Sequence, residues 1–208
     1  MGFWFFWVMW LLVICIYFFS DKKSSVRVEW IIVAFAILIL ANVTIPFFGF
    51  GVNLAMIVIA WIGYKTLIKV GGAALAIGFF ISLLLSALFG WLQFVYYYEP
   101  VWMLFTIQTS TVALFSLILI LIGRTVVIRI AVLSVSFFQG EIGFTFFLIM
   151  TGREVELTIG SFQYLDMLAL TFLVVLGWSL IEWFAAWLKQ KVYSSFGVLP
   201  AGQRKLNA

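Results

Sequence analysis

The sequence predicts an all-α polytopic membrane protein, a bundle of seven transmembrane helices. Three observations carry that prediction. Of 208 residues, 66% are apolar and only 10% charged, against roughly 45–50% and 25% in an average soluble domain. Mean hydropathy is +1.23, which leaves too little polar surface to coat a water-soluble globule. The apolar residues also fall into seven runs, each close to the roughly 20 residues of helix that cross a hydrocarbon core. This composition excludes a soluble enzyme, a nucleic-acid-binding domain and a disordered chain.

The first run, 3–19, ends at Ser20-Asp21-Lys22-Lys23. It lacks a basic leader and a small-residue cleavage site, so it reads as a retained helix and not a signal peptide. Phe6 stands where a myristoylation signal needs Ser or Thr. The second run, 30–46, closes on Pro46, and a tight Phe47-Phe48-Gly49-Phe50-Gly51 connection leads to the third, 52–69. One long re-entrant segment is the alternative for this pair. The fourth covers 70–94 and is followed by Tyr96-Tyr97-Tyr98-Glu99-Pro100; the fifth is 101–123, the sixth 130–150 and the seventh 162–188. The domain plan is therefore a transmembrane domain, 1–188, and a short basic cytoplasmic tail, 189–208.

Basic residues orient the bundle. With seven spans, one side holds Lys22, Lys23 and Arg27, then Lys65 and Lys69, then Arg124 and Arg129, and finally Lys189, Lys191, Arg204 and Lys205; the other side holds Arg153. The positive-inside rule then puts the N-terminus outside and the C-terminus inside. Aromatic belts fit this plan. Trp4, Trp7, Trp91, Tyr96, Tyr97, Tyr98, Trp102 and Tyr164 fall at the outer ends, and Trp30, Trp183, Trp187 and Tyr193 at the inner ends. Such rings prefer the headgroup level. The net charge of +4 is explained by orientation, and no nucleic-acid partner is expected.

Absences narrow the chemistry. There is no histidine, and Cys15 is the single cysteine, so His-ligated metals, His-assisted nucleophiles and intrachain disulfides are excluded. No HExxH, Walker-type, GxSxG or GxGxxG motif occurs. Residues 162–188 contain no lysine for a retinal Schiff base. Neither a metal nor a cofactor is expected, and the chain does not read as an enzyme.

Glu141 is the strongest chemical candidate. It lies 12 residues from Arg129 and 10 from Thr151, about 15–18 Å from either end of its helix. A carboxylate at that midplane depth costs several kcal/mol, so it is expected to be protonated, hydrogen-bonded or facing water. Ser134 and Thr145 share its helical face, and Gln139, Gly140 and Gly143 surround it. Gln108, Thr109, Ser110 and Thr111 on the fifth span, and Asn42 on the second, fall at similar depth. Together these groups form a candidate intramembrane polar cluster. Three readings remain open: interhelical hydrogen-bond glue, a proton- or solute-handling site, or a regulatory binding spot. Glu182 and Asp166 read as interfacial carboxylates, and Glu99, Arg153, Glu154 and Glu156 as solvated loop charges.

The fourth span carries a packing signature. Ala74, Gly78, Ser82, Ser86 and Gly90 recur at every fourth position, a small-xxx-small track that lets another helix approach closely. The partner helix belongs either to this chain or to another membrane protein or second copy.

The start Phe3-Trp4-Phe5-Phe6-Trp7-Val8-Met9-Trp10, the Lys22-Lys23 stop, the size and the layout resemble the YphA-type small integral membrane proteins of Bacillus and relatives. The resemblance spans most of the chain. It implies a bacterial plasma membrane and an envelope-related role, and it carries over no activity and no functional residue. The function expected is a non-enzymatic scaffold, accessory subunit or modulator of an envelope system. The alternative is a small-solute or proton-coupled transporter using Glu141.

Overall fold

The computed structural model describes residues 2–20, 25–47, 50–122, 125–152 and 158–195. Each of the seven apolar runs returns as an α-helix: α1 (Phe3–Phe19), α2 (Ser25–Leu40), α3 (Leu54–Val70), α4 (Gly72–Tyr98), α5 (Ile107–Ile122), α6 (Val126–Met150) and α7 (Phe162–Ser195). Among the described residues, three stretches, Gly72–Tyr98, Val126–Met150 and Phe162–Val192, are long and apolar enough to cross a membrane; α1 and α5 are apolar but shorter. A small sheet departs from the all-helical expectation. It contains β1 (Thr44–Phe47), β2 (Phe50–Asn53) and β3 (Thr158–Ile159) in the order β1-β2-β3.

Local chemistry explains where the helices depart from the predicted runs. α2 stops at Leu40 because Thr44–Phe47 pairs antiparallel with β2, Thr44 opposite Asn53 and Phe47 opposite Phe50. Pro46 therefore sits on an edge strand, where its missing N–H is tolerated. Asn53 seals this hairpin. Its side chain accepts from the Ala55 N–H at 2.9 Å and donates to the Ala41 carbonyl at 2.8 Å, capping α3 while holding the end of α2. A β-hairpin thus forms the tight connection between α2 and α3.

Between α3 and α4 the chain reverses at Gly71, whose φ of 65° and ψ of −179° lie in a region open essentially to glycine alone. α5 begins at Ile107 instead of 101. Pro100–Trp102 forms a single 3-10 turn, and Thr106 Oγ1 then accepts the Thr109 N–H at 3.2 Å. α6 begins at Val126, where the Thr125 hydroxyl accepts the Ile128 N–H at 3.4 Å. Arg129 is consequently no loop charge. It is buried in the first turn of α6 and donates to the Ile120 carbonyl at 3.2 Å, near the C-terminus of α5, the end of a helix dipole that favours a cation. α7 continues past 188 to Ser195, so the start of the predicted tail is helical. Lys22, Lys23, Arg124, Arg153, Arg204 and Lys205 lie outside the described residues, as do Asp21, Glu154 and Glu156.

The chain divides into two units, Met1–Val175 and Leu176–Ala208. In the first, α6 is the central helix, and every residue from Ala131 to Phe137 is buried. Its contacts with α4 run parallel: a Cβ on Gly78 would lie 3.7 Å from Val132, and the Phe94 and Phe147 rings are 5.7 Å apart. Its contacts with α5 run antiparallel, from Phe115–Phe137 (4.9 Å between rings) to Arg129–Ile120. Phe89, Phe115, Phe137 and Tyr164 pack edge to face or tilted where α4, α5, α6 and α7 meet, with ring centroids 4.9–6.2 Å apart. Lipid tails are as apolar as these side chains, so close packing, and not transfer from water, holds such a cluster together. Each favourable ring pair adds about 0.5–1.5 kcal/mol.

In the second unit, the Trp178 indole donates to Glu182 at 2.6 Å, the Phe184 and Trp187 rings stack at 5.8 Å, and Lys191 lies 4.6 Å over Trp187. The belt residues Trp4, Trp7, Trp91, Tyr96, Tyr97, Trp102, Trp30, Trp183 and Trp187 are exposed. Tyr98 is half-buried, and Tyr164 is fully buried, with 1% of its surface accessible. The side chain of Tyr193 lies outside the described residues.

Candidate functional site

The predicted polar cluster separates into two groups on different faces of α6. Gln139 Nε2 donates to the Tyr64 hydroxyl of α3 at 2.9 Å, and Gln139 Oε1 accepts from Ser82 of α4 at 3.4 Å. This network ties α3, α4 and α6 together, and Ser82 also donates to its own helix at Phe79 (2.7 Å). Glu141 stands two residues on. Residues two apart on a helix do not face one another, and Glu141 turns towards α7.

There the half-buried Glu141 carboxyl faces the backbone N–H of Gly160 and lies within electrostatic reach of Tyr164. The chain enters this corner through β3, which pairs parallel with β2 (Gly51 opposite Thr158, Val52 opposite Ile159). Gly160 follows at a φ of 79°, and a Cβ there would come within 3.0 Å of both Met56 and Asn53. Only glycine lets the backbone pass so close to α3 in that conformation.

Two hydroxyls complete the corner. The Tyr164 OH and the Thr111 Oγ1 of α5 are buried and have no hydrogen-bond partner among the described residues. Thr111 lies one turn along α5 from Phe115, and Glu141 one turn along α6 from Phe137, on the same side of the Phe115–Phe137 contact. The antiparallel register of these helices therefore places Thr111 and Glu141 in one layer. Tyr164, packed on Phe137 at 5.4 Å, borders it from α7.

The remaining predicted members lie elsewhere or add little. Ser134 bonds its own helix at Ile130 (3.0 Å) and lines an apolar cavity of about 250 Å³ beside α1 and α2. Thr145 is buried one turn beyond Glu141. Gln108 is half-buried in the first turn of α5, since that helix starts later than predicted. Asn42 is exposed in the turn after α2, where its side chain reaches Leu38 at 3.5 Å. The asparagine that matters structurally is Asn53. Asp166, read as interfacial, is buried and accepts from the N–H groups of Gly2 (2.9 Å) and Phe5 (2.8 Å).

The small-residue track of α4 is used unevenly. Gly78 and Ser82 are buried against α3 and α6, whereas Ala74 is exposed and Ser86 and Gly90 are half-open. Ser86 and Gly90 line a groove of about 340 Å³ with Gln139, Gly140 and Gly143 of α6. A Cβ added at Gly90 or Gly143 would meet nothing within 4 Å.

No curated protein and no solved structure matches the chain. A family model does, over residues 1–197, bringing the apolar helices and the buried polar corner under one description: the chain belongs to the YphA-like integral membrane proteins.

Proposed function

We propose that the protein is a non-enzymatic, seven-span protein of a bacterial plasma membrane that acts by helix contact, as a scaffold, accessory subunit or modulator of an envelope system. Its N-terminus lies outside and its C-terminus inside. The observation that carries this reading is the groove between α4 and α6, where open space stands over Gly90 and Gly143. Small residues without cover are what close approach by another membrane helix requires. Copurification after mild detergent extraction tests it. A partner or second copy held by wild type and lost in Gly143→Leu is expected, and a clean monomer would overturn the reading. Cysteines placed at Glu99 and Lys205, in a Cys15→Ser background, test the topology. Labelling from opposite sides is expected.

A second reading is a small-solute or proton-coupled transporter. Its support is Glu141, a carboxyl on α6 that faces the Gly160 N–H in the non-helical connection leading into α7. Irregular backbone at membrane depth characteristically lines such sites.

A further inference from the structure

We propose that α5, α6 and α7 hold a site for a monovalent cation, with the Glu141 carboxylate and the hydroxyls of Thr111 and Tyr164 as its oxygen ligands. This deepens the transport reading by naming the class of solute, and it concerns binding whether or not the cation crosses the bilayer.

The two hydroxyls supply the first argument. Thr111 and Tyr164 have 0% and 1% of their surface accessible, and neither hydroxyl has a partner among the described residues. A buried hydroxyl without a partner is rare. Here two occur on different helices, bordering the layer that also holds Glu141. Both have lone pairs free to accept a positive charge.

Charge fixes the ligand class. Among the described residues, Glu141 is the carboxylate of this corner, and Tyr164 is the titratable side chain within its electrostatic reach. The surrounding Phe89, Phe115, Phe137 and Thr111 carry no charge, Tyr64 is engaged by Gln139, and Asp166 by the N-terminus of α1. One negative charge in a low-dielectric interior is balanced by one positive charge. A divalent ion would leave an uncompensated charge, and hard divalent ions recruit more carboxylates than this. An anion is repelled. Oxygen-only ligation suits sodium or a hydronium ion.

The test uses the purified full chain in lipid nanodiscs. Melting temperature is followed as sodium chloride replaces choline chloride at constant ionic strength, with radioactive sodium binding in parallel. Wild type is expected to show saturable, sodium-specific stabilisation, and Glu141→Gln none. Tyr164→Phe and Thr111→Val, which preserve shape, are expected to fold and to bind roughly tenfold more weakly or worse. A proton as the occupant gives a different supporting result: no sodium effect, but a melting-temperature gap between wild type and Glu141→Gln that changes with pH and shrinks in Tyr164→Phe. Insensitivity to sodium together with a pH-independent gap overturns the proposal. Binding without flux across vesicles would defeat the transport reading alone.

Discussion

The Asp166 carboxylate accepts the Phe5 N–H at 2.8 Å, joining the seventh helix to the first turn of the first. A second oxygen takes the Gly2 N–H at 2.9 Å. The first N–H groups of a helix have no partner inside it, and in an apolar bundle water is not there to serve them. Asp166 does so from the other end of the chain and adds a favourable charge at the positive pole of α1. Asp166→Ala is expected to cost about 2–3 kcal/mol, combining a lost cap with stranded N–H groups. At about 2–4 °C per kcal/mol, detergent melting will show it. Asp166→Asn, with one acceptor oxygen, should fall between.

The Gln139–Tyr64 bond at 2.9 Å predicts energetic coupling between α6 and α3. A double-mutant cycle of Tyr64→Phe and Gln139→Leu should return about 0.5–2 kcal/mol, the range of hydrogen bonds between membrane helices. Additive single effects would show that the bond contributes nothing measurable.

Two glycines on α6 should respond oppositely to a methyl group. A Cβ at Gly140 would meet Phe89 atoms at 2.8, 2.9 and 3.0 Å, whereas at Gly143 it meets nothing within 4 Å. Gly140→Ala should therefore destabilise by about 1–3 kcal/mol through overpacking. Gly143→Ala should melt like wild type or slightly higher, since alanine is the better helix former.

At Glu141 the contrast is between Gln and Leu. Glu141→Leu leaves the Gly160 N–H facing a hydrocarbon side chain, at a cost of about 1–3 kcal/mol, so it should melt below Glu141→Gln. If the protein works by helix contact, cellular complementation should follow melting temperature across the two variants. A Gln variant that folds normally yet fails to complement would replace the contact reading with transport.

The helices were legible because apolar runs of membrane length have few alternatives, and Glu141 stood out as a carboxylate inside one. Helix ends were less so. Thr44–Phe47 is as apolar as a helix turn, and only its pairing with β2 makes it a strand. Gln139 and Glu141 were grouped by depth, whereas their separation by two residues sends them to different faces. Asp166 departs from its interfacial expectation for another reason. A carboxylate near the start of an outer helix looks interfacial, and the N–H groups it serves lie more than 160 residues away. Tyr164 carries the same ambiguity, since tyrosine suits a headgroup belt and a buried layer equally, and nothing local tells them apart.

The parallel pairing of β2 with β3 has a consequence for biogenesis. β1 and β2 emerge from the ribosome together and can close their hairpin as soon as α3 follows. The second edge of β2 must wait until α4, α5 and α6 have been made, on the order of ten seconds at ordinary elongation rates. An unpaired strand edge is costly in lipid and sticky outside it. Synthesis of α7 therefore does more than add a final helix. The segment leading into it brings β3 to the waiting edge and Gly160 against Glu141, and α7 itself carries Asp166 to α1.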